Sequence, residues 1–233
     1  MKRIAIIGAN GVIGQVVTDG LEQHATVRRL DLPGLDARIF DDVKAAIEGV
    51  DIVIHLALGK GGDGRENWRS GYLDPDNVTM ELNVLQAAVE LGIPRVIMAS
   101  SVHADGFNEY DGQELLQAPG TLKPLSPYGT HKLILETIGK FYSERFGIEF
   151  VGLRFGGVTP DNTVKTILKE PQVWLSHRDL VSLMRACVDA ESVPNNYSVV
   201  YAVSENDGRL HDHSNPFGWQ PQDNSKDAAR RDG

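Results

Sequence analysis

Tyr128 and Lys132 stand four positions apart in Ser126-Pro127-Tyr128-Gly129-Thr130-His131-Lys132, a spacing that stacks two side chains on one face of a helix. An ammonium beside a phenol favours the phenolate, and a phenolate can take the proton of a substrate hydroxyl. The pair alone says little, because tyrosine and lysine recur at this spacing on ordinary helix surfaces. It gains meaning from Ala99-Ser100-Ser101, which closes an apolar strand and brings a hydroxyl able to hold an oxygen while its charge shifts. Oxidising an alcohol also needs a hydride acceptor, and the start of the chain suits one. Gly8, Gly11 and Gly14 are spaced G-x-x-G-x-x-G between the apolar run Ile4–Ile7 and an amphipathic stretch. Gly8 permits a tight turn, Gly11 lets backbone approach a pyrophosphate, and Gly14 allows close helix packing. The helix that follows offers unpaired N–H groups to phosphates. This context reads as dinucleotide binding rather than a merely structural turn.

Asp31 lies 23 residues after Gly8, at the end of the second strand. Its carboxylate can accept the adenosine ribose hydroxyls and repel a 2′-phosphate, which favours NAD over NADP. Arg28 and Arg29 can accommodate that phosphate, but strand alternation sends Arg29 and Asp31 to one face and Arg28 to the other, so the preference for NAD stands. Asp36, in the link Leu32-Pro33-Gly34-Leu35-Asp36, either hydrogen-bonds the adenine or is a solvated turn residue. The Lys132 ammonium also suits the nicotinamide ribose, which adds Tyr128 and Lys132 to the cofactor contacts.

The elements that position these groups alternate. Apolar strands are predicted at KRIAII, ATVRRLDL, DIVIHLAL, PRVIMASS and IEFVGLRFG. Between them run helices: the one opened by the glycine turn, DDVKAAIEGV, VTMELNVLQAAVEL ended by Gly92, and a long helix from Ser126 to Gly147. That order predicts an α/β fold with a doubly wound, mostly parallel sheet covered on both faces, its active loops beyond the carboxyl ends of the strands.

Composition narrows the function classes. The chain has 233 residues, 41% of them hydrophobic, and a formal net charge of −9. It can bury a full core, and it gives no electrostatic invitation to nucleic acid or an anionic membrane. The glycines interrupt the first apolar run too early for a signal peptide or a membrane span, so the expected location is cytoplasmic. The single cysteine, Cys187, lies at a helical apolar spacing and reads as a buried structural thiol. The histidines of His55-Leu56-Ala57 and of His211-Asp212-His213 do not assemble a metal site, and none is expected.

GANGVIG, DIVIHLA, Asn77 and Asn83 in DNVTMELNVLQAA, ASS before a loop, and YGTHK together resemble the extended short-chain dehydrogenase/reductase family, also called the NAD-dependent epimerase/dehydratase family. The resemblance implies a Rossmann-type sheet, NAD as cofactor, a serine-tyrosine-lysine centre and, often, a homodimer formed through two long helices. It selects Ser101 over Ser100 as the catalytic serine, because Ser101 stands five residues before Gly106. It makes Asn77 the asparagine that orders the centre. Its cofactor contacts extend to Asn10, Val12 and Ile13 in the glycine turn and to Leu56 and Ala57 after the third strand.

A narrower likeness runs through VWLSHRDLVSLMRACVDA, SVVYAVSEN and FGWQPQDNS to uronate dehydrogenases and related sugar dehydrogenases. These oxidise the C1 hydroxyl of a cyclic sugar acid to a lactone with NAD, which makes a sugar or sugar acid the expected partner. The likeness implies substrate contacts at Ser101, Val102, His103, Tyr128, Gly157 and Lys165. Three of these depart from the pattern: Val102 replaces an asparagine, Gly157 a serine, and Lys165 or Lys169 the carboxylate-binding arginine. A lysine lacks the fixed fork of arginine. Lys60, Arg65 and Arg69 either meet an anion or are solvated loop charges, and His177 is a ligand or a helix-start residue. Residues 1–155 are expected to form the cofactor core and 156–233 a small, continuous, substrate-facing lobe. A sugar epimerase and a nucleotide-binding regulatory protein with little turnover remain alternatives.

Overall fold

Alternation along the first strand assigns the two faces of the sheet. In β1 (Arg3–Ile7) the side chains of Ile4 and Ile6 enter one apolar cluster and those of Ala5 and Ile7 another, as the two-residue period of a strand requires. β2 (Thr26–Leu30), β3 (Ile52–His55), β4 (Arg95–Ser101), β5 (Glu149–Phe155) and β6 (Tyr197–Ala202) extend it to six strands in the order β2-β1-β3-β4-β5-β6. Every neighbouring pair is parallel. The computed structural model describes residues 1–59, 73–120, 122–164 and 170–232.

Helices cover both faces. α1 (Val12–Leu21) and α5 (His177–Asp189) bury Val17, Leu21, Leu180, Leu183 and Met184 against Ile4, Ile6 and Ile54. α2 (Phe40–Ile47), α3 (Pro75–Leu91) and α4 (Pro127–Phe146) bury Val43, Ile47, Val84, Leu85 and Leu135 against Ala5, Ile7 and Val53. Each such side chain contributes about 1.5–3 kcal/mol on leaving water. The doubly wound Rossmann-type sheet expected from the sequence is the one observed. A short helix, α6 (Ser225–Asp232), sets Ala228 against Trp174 and Val164. Among the described residues no helix is long and apolar enough to cross a membrane.

The second part of the chain is built into the same body. β6 pairs with β5 from Phe150↔Tyr197 to Phe155↔Ala202, and Leu175, Leu183 and Trp219 share a cluster with Ile4. Cys187 is fully buried there, and burial pushes its thiol far above its ordinary range. Trp174 and Trp219 are packing residues, 1% and 4% exposed.

Local signals start and stop the helices that matter for the site. Asp74 accepts the Asp76 N–H ahead of Pro75 to begin α3, and Ser126 accepts the Gly129 N–H ahead of Pro127 to begin α4. Gly92 and Gly147 end them at φ 67° and 73°, a conformation that glycine adopts without a side-chain penalty. Asn77 and Tyr128 thus sit in the first turns of their helices. His177 begins α5, but Ser176 caps it, and the His177 Nε2 bonds the Thr159 carbonyl at 2.7 Å, a structural role.

Candidate active site

The chain runs from β1 outward to β2 and returns to the other side of β1 at β3. Open α/β sheets bind ligands outside the carboxyl ends of the strands where the order reverses in this way. Gly8 stands at that point with φ +87°, and a Cβ on it would lie 2.4 Å from the Ala57 N. Leu56 joins the two strands through its N–H, 2.8 Å from the Ile7 carbonyl. Asn10, Gly11, Val12, Ile13, Gly14, Leu56 and Ala57 therefore gather around one turn.

Gly14 is buried, and a Cβ there would fall 2.1 Å from the Gly8 carbonyl. Gly11 caps α1 without a side chain and is exposed, and a Cβ there would make only an ordinary contact, 3.4 Å from the Gly8 carbonyl oxygen. The first helical bond is made by the Gln15 N–H to the Gly11 carbonyl, so the N–H groups before it face outward from the helix start. No acidic residue occupies that first turn. An anion fits there, and the residues present suit the pyrophosphate of a dinucleotide.

Asp31 closes this cradle in a way its position in the sequence did not reveal. Its Oδ2 accepts the Asn10 N–H at 2.8 Å, while Oδ1 accepts the Leu32 N–H at 2.8 Å, so the carboxylate steadies the glycine turn. The two neighbouring arginines are engaged elsewhere. Arg29 pairs with Asp19 of α1 and with Glu22, which follows its last turn, and Arg28 donates to the Ala46 and Glu48 carbonyls at the end of α2. Asp36 is gripped by Arg38, whose Nη2 lies 2.6 Å away and holds the carboxyl below its usual range. Arg38 also reaches Asp76 at 3.2 Å.

Tyr128 and Lys132 lie on one face of α4, with the ammonium 5.6 Å from the ring centroid. Lys132 is 4% exposed. The loop after β4 comes to meet them. Ser101 is buried and its Oγ accepts the His103 N–H at 3.2 Å, and the His103 ring contacts Tyr128 edge-on at 5.8 Å. Burial pushes the His103 pKa down, which favours a neutral ring. Gly129 makes this approach possible, since a Cβ there would lie 2.2 Å from the His103 carbonyl. Ser100 turns the opposite way, and its hydroxyl donates to Glu136 at 2.5 Å.

Asn77 is 2% exposed and its Oδ1 accepts the Gly59 N–H at 2.7 Å, which holds the chain leaving β3. One turn further along α3, Glu81 meets His131 of α4 at 2.6 Å, and both are buried. This contact locks the helix carrying Asn77 to the helix carrying Tyr128.

Two expected substrate contacts are arranged differently. The Val102 side chain, 2% exposed, packs with Phe107, Leu116, Val173 and Tyr201, because an apolar group in a turn beside the core is drawn into it. Gly157 has both backbone groups engaged, its N–H by Val173 at 2.8 Å and its carbonyl by Leu175 at 2.9 Å. Lys165 lies outside the described residues, as do Lys60, Arg65, Arg69 and Lys169. Sequence reasoning missed the buried set Glu136, Arg154, Tyr201, Asp105 and His211. Its one sequence signal is a charge within apolar stretches, Glu136 in KLILETIG and Arg154 in GLRF.

The chain is 32% identical to an L-arabinose 1-dehydrogenase (NAD(P)(+)) of Haloferax volcanii, over 97% of this chain and 98% of that protein. It is 31% identical to a uronate dehydrogenase of Pseudomonas putida, over 97% of this chain and 85% of the relative. Its structure matches that of a mutant uronate dehydrogenase from Agrobacterium tumefaciens complexed with NAD, with a TM-score of 0.81 and 28% identity, covering 99% of this chain and 88% of that one. Residues 4–162 match a family model, and the chain belongs to the NAD dependent epimerase/dehydratase family.

Proposed function

We propose that this protein is an NAD-dependent dehydrogenase that oxidises the C1 hydroxyl of a cyclic sugar acid or related aldose to a lactone. The observation that carries the reading is the meeting of Tyr128, Lys132, Ser101 and His103 in a fold whose first turn is the Gly8–Gly14 cradle. Relatives named for sugar and uronate dehydrogenation, aligned over nearly the whole chain, support the substrate class.

In this reading the C1 hydroxyl gives its proton to the Tyr128 oxygen as the ring carbon becomes a carbonyl. Bound NAD supplies the hydride acceptor. Lys132, buried beside the phenol, presents positive charge to that oxygen and donors to the nicotinamide ribose. Ser101 holds the substrate oxygen as its charge shifts. Neutral His103 both donates and accepts, which suits sugar hydroxyls. The N–H groups at the start of α1 hold the pyrophosphate, and Asp31 meets the adenosine ribose and selects NAD. Asn77 orders the centre by fixing the chain after β3. The exposed Leu82 of α3 and Phe141 and Phe146 of α4 support a homodimer through these two helices.

The test is NADH formation across glucuronate, galacturonate, neutral aldoses and sugar phosphates, for the unaltered chain and for Tyr128→Phe. A sustained signal with one sugar, lowered at least about a hundredfold in Tyr128→Phe while NAD still binds, is the expected result. Equal rates in both proteins would sink the mechanism. Conversion of a sugar to its epimer without net NADH would replace dehydrogenation by epimerisation.

A further inference from the structure

The loop from Ser101 to Phe107 carries two groups of the proposed centre, and it rests on buried polar side chains that the mechanism does not use. Asp105 is 2% exposed, and its Oδ1 accepts the Phe107 N–H at 3.0 Å. Its Oδ2 faces Nε2 of His211 at 3.3 Å, and His211 is fully buried. The contact is a close approach and not a well-aligned hydrogen bond, and neither atom has a hydrogen-bond partner of good geometry among the described residues. The backbone around His211 is itself pinned, because the Leu116 N–H bonds the Leu210 carbonyl at 2.8 Å and the Asp212 N–H the Leu116 carbonyl at 2.9 Å.

From this anchor a file of rings leads to the centre. His211 contacts Tyr201 at 4.5 Å and Phe107 at 5.8 Å. Phe107 contacts His103 at 5.3 Å, and His103 contacts Tyr128 at 5.8 Å. A second arm returns through charge. The Tyr201 oxygen accepts from Arg154 Nη1 at 3.0 Å, and Arg154 forks onto Glu136 at 2.8 and 2.9 Å. Glu136 stands one turn beyond Lys132 and takes the Ser100 hydroxyl. Charged groups buried in this way offer little stability over apolar packing of the same shape. What they supply is a defined geometry.

We propose that Asp105 and His211 are positioning residues, which clamp the Ser101–Phe107 loop from beneath and so set His103 against Tyr128. The proposal rests on the reading of Tyr128 and His103 given above. It assigns the C-terminal segment a part in the centre through His211.

The test uses the full chain with His211→Phe, which keeps a ring but removes the polar contact, with His211→Gln, which keeps a side-chain N–H donor, and with Asp105→Asn. For the sugar that gives NADH, kcat/KM is expected to fall about ten- to a hundredfold in His211→Phe, as for a small misplacement near reacting groups. His211→Gln recovers part of the loss, the dissociation constant for NAD changes less than about twofold, and the double variant His211→Phe with Asp105→Asn falls no further than the worse single one. Folded variants with unaltered kcat/KM, or losses that multiply in the double variant, would overturn the proposal. Where His211→Phe does not fold, Asp105→Asn carries the same comparison. If no sugar yields NADH, the functional reading has failed, and the clamp is read from the imidazole ¹H–¹⁵N signals of His103, assigned with His103→Gln. Shifted signals in folded His211→Phe support the clamp; unmoved signals overturn it.

Discussion

His55 gives the protein a built-in sensitivity to acid whose size follows from its place. It ends β3, is 2% exposed, and its Nδ1 has no hydrogen-bond partner among the described residues. Burial first, then the electrostatic influence of Lys132 and His131, holds its pKa at about 3, against an ordinary value of 6.5. The folded protein thus refuses a proton that the unfolded chain accepts. The sign follows: the stability contribution of neutral His55 is complete above pH 6.5 and is lost as pH falls from there toward 3. Well below the upper value the loss is about 1.4 kcal/mol per pH unit, and integrated between pH 7 and pH 5 it comes to about 2 kcal/mol. The assay is urea unfolding followed by tryptophan fluorescence at several pH values in that range, for the unaltered protein and for His55→Gln. Other groups titrate in both proteins, so the difference between the two pH slopes isolates His55. The unaltered protein should lose about 2 kcal/mol more than the variant. Parallel losses would refute a buried neutral histidine beside Lys132.

Other consequences are as direct. Gly14→Ala drives a Cβ to 2.1 Å from the Gly8 carbonyl, so NAD affinity by fluorescence titration should fall at least about tenfold, or about 1.4 kcal/mol; an unchanged affinity would show that this turn does not hold the cofactor. Asp31→Asn keeps an oxygen for the Asn10 N–H while removing the charge and the acceptor for the Leu32 N–H, and should raise NADP binding relative to NAD. Equal preference in the two proteins would remove Asp31 as the discriminator. Arg154→Leu strands the buried Glu136 carboxylate and should cost about 3–5 kcal/mol in urea unfolding, most of which an added Glu136→Leu recovers. A double variant as unstable as the single one would contradict this account of the pair.

Much of the fold was legible because its signals are local. Strand and helix periods, the helix start at Ser126 and the terminal Gly92 and Gly147 depend on neighbouring residues, so a linear reading finds them; the Asp74 cap, four residues ahead of the predicted VTMELNVLQAAVEL helix, was not among them. The glycine turn was equally plain, since Gly8, Gly11 and Gly14 carry their geometric requirement in their identity. Val102 and Gly157 were harder. An alignment-like position names a place along the chain, whereas the direction of a side chain in a turn is decided by which neighbours bury it.

Sequence alone determined the alternating α/β order, the glycine turn, and the tyrosine-lysine pair on one helix face, because each is set within about one helical turn or one strand of contiguous chain. Only the tertiary structure decided that Ser100 and Ser101 serve opposite sides, that Asp31 braces Asn10, and that His55 stays neutral. It also joined Asp105, His211, Tyr201, Arg154 and Glu136, which come from five separate segments. Their meeting depends on the parallel order of β4, β5 and β6 and on the path of the C-terminal chain beneath a loop, and long-range closure of that kind leaves no periodic mark in the sequence.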